Sequence, residues 1–169
     1  MPSARAALPA RTWAVILIAV FAFTTLVAPA TESDAGRRHR YSFKGAERCM
    51  MKKINKRRVN HGVRRLRWDR QLGYVARKHA RRMARRSAIF HDSDLGSKIT
   101  RWRSLAQNVG VGSGCRRLFR AFWKSSPHRA NILGHYRYVG VGSERRNGRI
   151  FVQHVFEWRR DPGNVYAYP

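Results

Sequence analysis

The chain is expected to adopt an α+β fold, with helices first and antiparallel strands late, and three observations carry that expectation. Leu72, Val75, Ala76, His79, Ala80, Met83 and Ala84 recur at helical spacing and form one apolar stripe. Tyr138-Val139-Gly140-Val141-Gly142 and the run from Ile150 to Trp158 read as two strands. Between them, Arg146-Asn147-Gly148-Arg149 carries the Asn-Gly pair of a tight hairpin, because both residues tolerate the left-handed backbone that such a turn requires. No internal repeat is visible.

The elements follow in order. A first helix is expected from Ala46, with Cys49, Met50 and Ile54 a turn apart and Gly62 near its end. Leu66-Arg67-Trp68 leads to Asp69, whose carboxylate suits the N-cap of the second helix. On that helix Arg77, Lys78, Arg81, Arg82, Arg85 and Arg86 cover the side opposite the apolar stripe. They read as a solvated face first and an anion-binding surface by addition. His79 lies within the stripe and is expected to be a packed core histidine making one hydrogen bond. Ala88 to Ser97 reads as a loop and Lys98 to Leu105 as a short helix. Ala106-Gln107-Asn108-Val109 opens a Gly-rich link to Cys115. A third main helix then buries Leu118, Phe119, Phe122 and Trp123. Ser126 is placed as the N-cap of a short helix from Pro127 to Leu133, with Gly134 at its exit.

Composition narrows the function classes. Arg5 and Arg11 precede an apolar run from Trp13 to Val27, and Ala28-Pro29-Ala30 supplies small residues at the −3 and −1 positions. This is the pattern of a secretory signal peptide cleaved after Ala30. The run is shorter than the roughly 20 residues of a membrane span, so no transmembrane segment is expected after cleavage. Residues 31–45 are read as a flexible linker and 46–169 as one domain. Of 36 basic side chains the leader removes two and no acid, so the net charge of +27 becomes +25. Such a surface attracts polyanions over a long, salt-sensitive range: wall polymers, anionic lipid head groups or nucleic acid. The two cysteines, Cys49 and Cys115, favour one structural disulfide in an exported protein. On the chain-entropy model that closure stabilises by roughly 4 kcal/mol.

Set in order, several motifs resemble the CAP superfamily, the secreted domain shared by cysteine-rich secretory proteins, antigen 5 and pathogenesis-related 1 proteins, with the bacterial branch the closer match. They are Ile54-Asn55…Arg58, Gly62…Leu66…Trp68-Asp69…Leu72, Ala76…His79-Ala80…Met83-Ala84 and His91. They continue with Gln107-Asn108-Val109, Trp123…Ser126-Pro127-His128-Arg129…Asn131-Ile132-Leu133, Val139-Gly140-Val141-Gly142 and Val152-Gln153…Phe156. The resemblance implies a three-layer α-β-α sandwich around a central antiparallel sheet. It also implies a cavity lined by two histidines and two acids, which in the family can hold zinc. His91 matches the first histidine and His135, in Gly134-His135-Tyr136, the second; both are candidate metal ligands. Gln107 and Ser126 stand where the acids are expected. Asn108 lies beside Gln107, and His128, in the Ser-Pro-His-Arg motif, competes for the cavity.

The loss of both acids has a chemical consequence. Gln107 has the shape of Glu, so it keeps hydrogen bonds while losing the charge that a base or metal ligand needs. Zinc requires at least three protein ligands. His91, His135 and His128 offer three nitrogens, with Asp92 and Asp94 close in sequence. Ser125 and Ser126 beside His128 suggest a hydrolase, but no Gly-x-Ser-x-Gly elbow and no orienting carboxylate accompany them, and a helix cap accounts for the same residues. The expected function is therefore a secreted, non-catalytic envelope module binding a lipid, wall polymer or other anionic partner. The alternatives are a metal-dependent hydrolase or protease and a nonspecific nucleic-acid binder, the latter without any RNP, zinc-finger or helix-turn-helix signature.

Overall fold

A computed structural model describes Ser42–Arg159. The leader, residues 31–41 of the linker and the last ten residues lie outside the described residues. The elements are α1 (Gly45–Asn60), β1 (Arg67–Trp68), α2 (Arg70–Arg86), α3 (Leu95–Lys98), β2 (Ser104–Gly112), α4 (Cys115–Lys124), α5 (Ser126–Leu133), β3 (Tyr138–Arg146) and β4 (Arg149–Trp158). Among the described residues no helix is long and apolar enough to cross a membrane.

The sheet runs β1-β3-β4-β2. β3 and β4 form the expected hairpin, closed by Asn147 and Gly148 at φ of 47° and 69°. β2 pairs antiparallel with the other edge of β4, and the two residues of β1 pair parallel with β3. The sheet is thus antiparallel with a short parallel edge. Alternation along the strands supplies two apolar faces. Val139, Val141, Ile150, Val152 and Phe156 pack with residues of α1, α4 and α5, including Met50, Ile54, Phe122 and Ile132. On the other face Tyr138 and Val155 pack with Leu72, Val75 and Ala76 of α2, and Phe151 with Ala80 and Met83. The three layers are present.

Gly140 and Gly142 explain how α2 lies so close to β3. A Cβ on Gly140 would collide with the backbone of Leu72 and Gly73, and one on Gly142 with that of Ala76 and Arg77. The Val-Gly-Val-Gly run therefore buries valine on one face and lets helix backbone touch strand backbone on the other. Cys49 and Cys115 are bonded, joining α1 to the first residue of α4, with Cα atoms 6.4 Å apart. Asp69 caps α2 as expected, its Oδ1 accepting from Leu72 N at 3.0 Å.

Four local expectations are corrected. The short helix is Leu95–Lys98 rather than Lys98 to Leu105. The supposed Gly-rich link is strand β2, because Gly110 and Gly112 leave room for the side chains of Phe122 and Leu118 to lie on the sheet. Ser126 is the first residue of α5 and not its cap; Ser125 occupies that position without a capping hydrogen bond from its side chain. Arg77 and Arg82 are not simply solvated. Arg77 grips the buried Glu47 carboxylate, and Arg82 lies 2.9 Å from that of Asp92.

Candidate functional site

β2 positions the centre of the site. Gln107 and Asn108 are consecutive, so their side chains leave opposite faces of the strand. Gln107 turns toward the segment that follows α2. Its Oε1 accepts from Asp92 N at 3.0 Å and from Gln153 Nε2 at 2.7 Å, while its Nε2 donates to Asp92 O at 3.0 Å. The amide therefore clamps both backbone polar groups of one residue, Asp92, which a carboxylate could not do because it has no N–H to give. Asn108 turns toward α5. Its Nδ2 donates to His128 O at 3.0 Å, and its Oδ1 accepts from Asn131 Nδ2 at 2.8 Å.

These two clamps bring His91 and His128 toward one another from opposite layers. His91 is exposed, next to the clamped Asp92. His128 is partly buried, its ring edge-on to Phe122 at 5.1 Å. Burial, and then the nearby His91, hold its pKa below the usual imidazole value. Behind it lies His154, which sequence reasoning did not single out. Its ring packs on Phe122 at 4.6 Å and Phe156 at 6.1 Å and is fully buried. Neither ring nitrogen has a hydrogen-bond partner among the described residues. Burial, with a smaller contribution from His128, lowers its pKa to about 3. The signal was present in the period-2 pattern, which sets His154 between Val152 and Phe156 on one apolar face.

The other expected residues are distributed differently. Ser126 is exposed at the start of α5. His135 is also exposed and stacks on Trp158, with ring centres 5.9 Å apart, at the mouth of a separate cavity of about 550 Å³. His79 is packed in the core as expected but makes two hydrogen bonds rather than one, Nε2 donating to Phe90 O at 2.7 Å and Nδ1 accepting from Arg82 at 2.8 Å. This is a neutral Nε2–H imidazole, and burial lowers its pKa against the opposing pull of Phe90 O and Asp92. For Asp92, burial acts upward, but the Lys98 hydrogen bond and the Arg82 charge outweigh it and hold the carboxyl below its usual range.

The donor set does not fit zinc. Among the described residues no three His, Cys, Asp or Glu side chains converge as ligands. The Gln107 oxygen is occupied by two N–H donors, and the Asp92 carboxylate is held by Lys98 and Arg82. Glu157 has its pKa raised to about 7 by burial, opposed by Arg159 and reinforced by Asp69. That value suits a general acid, yet the side chain is fully buried against Arg159, out of reach of a substrate. What the site can offer is neutral imidazole, amide hydrogen bonds and aromatic surface, within a strongly cationic exterior.

A family model described as the cysteine-rich secretory protein family, CAP, matches residues 51–156. Among solved structures, an outer surface protein of Borrelia burgdorferi superposes with a TM-score of 0.62 at 15% identity, covering 67% of this chain and 92% of that one. An extracellular SCP-domain protein of Bacillus anthracis gives 0.61 at 23% identity, covering 68% and 41%. A cysteine-rich secretory protein of Staphylococcus aureus gives 0.54 at 20% identity, covering 65% and 37%. At these identities the likeness carries the fold alone. No curated protein matches the chain.

Proposed function

Because the chain belongs to the cysteine-rich secretory protein (CAP) family, we propose that it is an extracellular, non-catalytic module that holds an anionic component of the cell envelope. One observation carries the reading: the fold sorts its charges. Glu47, Asp69, Asp92 and Glu157 are buried, each beside Arg or Lys. Among the described residues that leaves the exposed Asp94 and the partly buried Glu144 to oppose the surface cations, whereas most lysines and arginines between Ser42 and Arg159 are exposed. A surface of this kind draws polyanions from a distance and retains them wherever local shape fits. The disulfide supports an oxidising compartment. Beside the histidines the Asp92 carboxylate is held by Lys98 and Arg82 and the Gln107 oxygen accepts from two N–H donors, so neither is free to serve as a base, which supports binding over catalysis.

The test is sedimentation of the purified protein with anionic vesicles and with isolated cell walls across a salt series. Saturable binding that weakens with salt but persists near about 0.2 M, where the Debye length is below ~8 Å, is expected. Binding that vanishes by that point would reduce the surface to nonspecific charge. Hydrolysis of a wall or peptide substrate that His128→Ala abolishes would replace the reading with an enzymatic one.

A further inference from the structure

The segment joining α1 to β1 stands as a ridge between two clefts. The first, about 560 Å³, is lined by Lys52, Lys56, Arg65 and Trp68. The second, about 550 Å³, is lined by Arg64, Arg137, His135, Tyr136 and Trp158. Arg64 and Arg65 are neighbours in sequence, so the clefts adjoin across a single peptide unit. No carboxylate lines either one. Lys52 and Lys56 sit one turn apart on α1, where like charges repel, and neither has an ion pair among the described residues. Each cleft also presents a tryptophan. Trp68 is 39% exposed with Phe43 edge-on behind it, and Trp158 carries His135 and the Arg103 guanidinium against its ring.

The ridge is held from inside. Buried Arg58 donates to Arg64 O at 2.7 Å, and to Ile132 O and Gly134 O at 2.8 Å each. Buried Asn55 donates to Leu66 O at 2.9 Å and accepts from Leu66 N at 2.8 Å. Two interior side chains thus hold the loop on both sides of Arg65, at Arg64 and at Leu66, and consecutive arginines line different clefts before any ligand arrives. Preorganisation of this kind lowers the ordering cost of binding.

We propose that the two clefts, one on each side of the ridge, together hold a linear acidic glycopolymer that crosses it, whose sugar rings rest on Trp68 and on the exposed His135 stacked over Trp158, and whose anionic groups meet Lys52, Lys56, Arg65, Arg64 and Arg137. The proposal rests on the envelope-binding reading and assigns it a site and a ligand chemistry. A flat ring with regularly spaced anions matches aromatic platforms interleaved with unpaired cations. Single-stranded nucleic acid shares that pattern. The disulfide, which marks an oxidising compartment, favours the glycopolymer.

The probes are polygalacturonate, its di- and octasaccharide, a dT20 oligonucleotide and neutral dextran, titrated against the whole protein by tryptophan fluorescence and calorimetry. Trp68→Ala combined with Lys52→Ser and Lys56→Ser is expected to weaken polygalacturonate binding by about tenfold or more, since an aromatic anchor and two cations are lost. Lys78→Ser with Arg85→Ser removes equal charge from exposed positions on α2, across the sheet, and is expected to change it by less than about twofold. The octasaccharide should bind at least about tenfold more tightly than the disaccharide, because it alone engages both clefts. Equal losses in the two charge variants, or affinity independent of length, overturn the two-cleft site while leaving the envelope reading intact. Tighter, cleft-dependent binding of dT20 overturns the glycopolymer. No binding to any acidic probe, to anionic vesicles or to cell walls overturns both readings.

Discussion

His154 is a histidine in a position that suits phenylalanine. It lies among Phe122, Phe156 and Val152 with both nitrogens unpartnered among the described residues, and its pKa falls to about 3. Below about pH 6.5 the unfolded chain binds a proton there that the folded chain refuses until about pH 3, so acid in that window favours unfolding. Glu157 has the opposite sign. Its folded pKa of about 7 lies above the ordinary value of 4.5, so between those values the folded chain holds a proton that the unfolded chain has released, and stability falls as pH rises. These two effects offset each other from pH 6.5 to 4.5, and of the pair only the His154 effect continues below that. His154→Phe is therefore expected to be more stable than the parent by a margin that grows by about 1.4 kcal/mol per unit as pH falls from 6 to 4. Urea denaturation at several pH values reads this directly, and a margin independent of pH would show that His154 is protonated or solvated in the fold. Asn108 and Asn131 illustrate a different limit of sequence reading. Their mutual bond spans two elements that no local spacing connects, so neither could be assigned a partner in advance.

The second helix was readable because its apolar stripe and its Asp69 cap are local properties of consecutive residues. The β3–β4 hairpin was readable for the same reason, through Asn147-Gly148 and alternation. β2 was not. Its glycines and polar residues resemble a loop, and its strand character comes from pairing with β4 far along the chain. The two basic positions misread on α2, Arg77 and Arg82, share a cause: their acidic partners, Glu47 and Asp92, arrive from other elements. The α2–β3 contact yields a sharp expectation. Gly142→Ala places a methyl group into the backbone of Ala76 and Arg77, where no flexible side chain can yield. The helix must lift from the sheet, and a loss of about 3 kcal/mol or more is expected in chemical denaturation. A near-neutral result would mean that α2 slides freely on β3.

Across the whole molecule, the Cys49–Cys115 bond closes a loop with a sequence separation of 66 that contains α2 and β2. It ties α1 to α4, two helices that cover the same face of the sheet. Cys49→Ser with Cys115→Ser is expected to cost about 4 kcal/mol of stability by the chain-entropy argument, measured by urea denaturation of the oxidised parent and the variant. An unchanged midpoint would show that the unfolded chain is already constrained without the bond. At this scale the number and order of layers came from the family resemblance, and the pairing of faces had to be seen in three dimensions. Of the candidate site, the individual histidines were visible as residues, but the approach of His91 to His128 and the placement of His135 on Trp158 depend on how α5 meets the sheet.

The sorting of charge also decides which environmental variable would release the protein from an anionic partner of the proposed kind. Its exposed cations are chiefly guanidinium groups, which stay protonated up to about pH 12. The carboxylates that acidification would neutralise are largely sealed inside, and the exposed His61, His91 and His135 can only gain positive charge, so lowering the pH does not weaken the cationic exterior among the described residues. Neither mild acid nor mild alkali therefore removes the positive exterior, and the molecule should migrate toward the cathode at nearly every pH at which it stays folded. Ionic strength is left as the lever. On the proposed function, a rise in salt would loosen the protein from an anionic support, and dilution would return it.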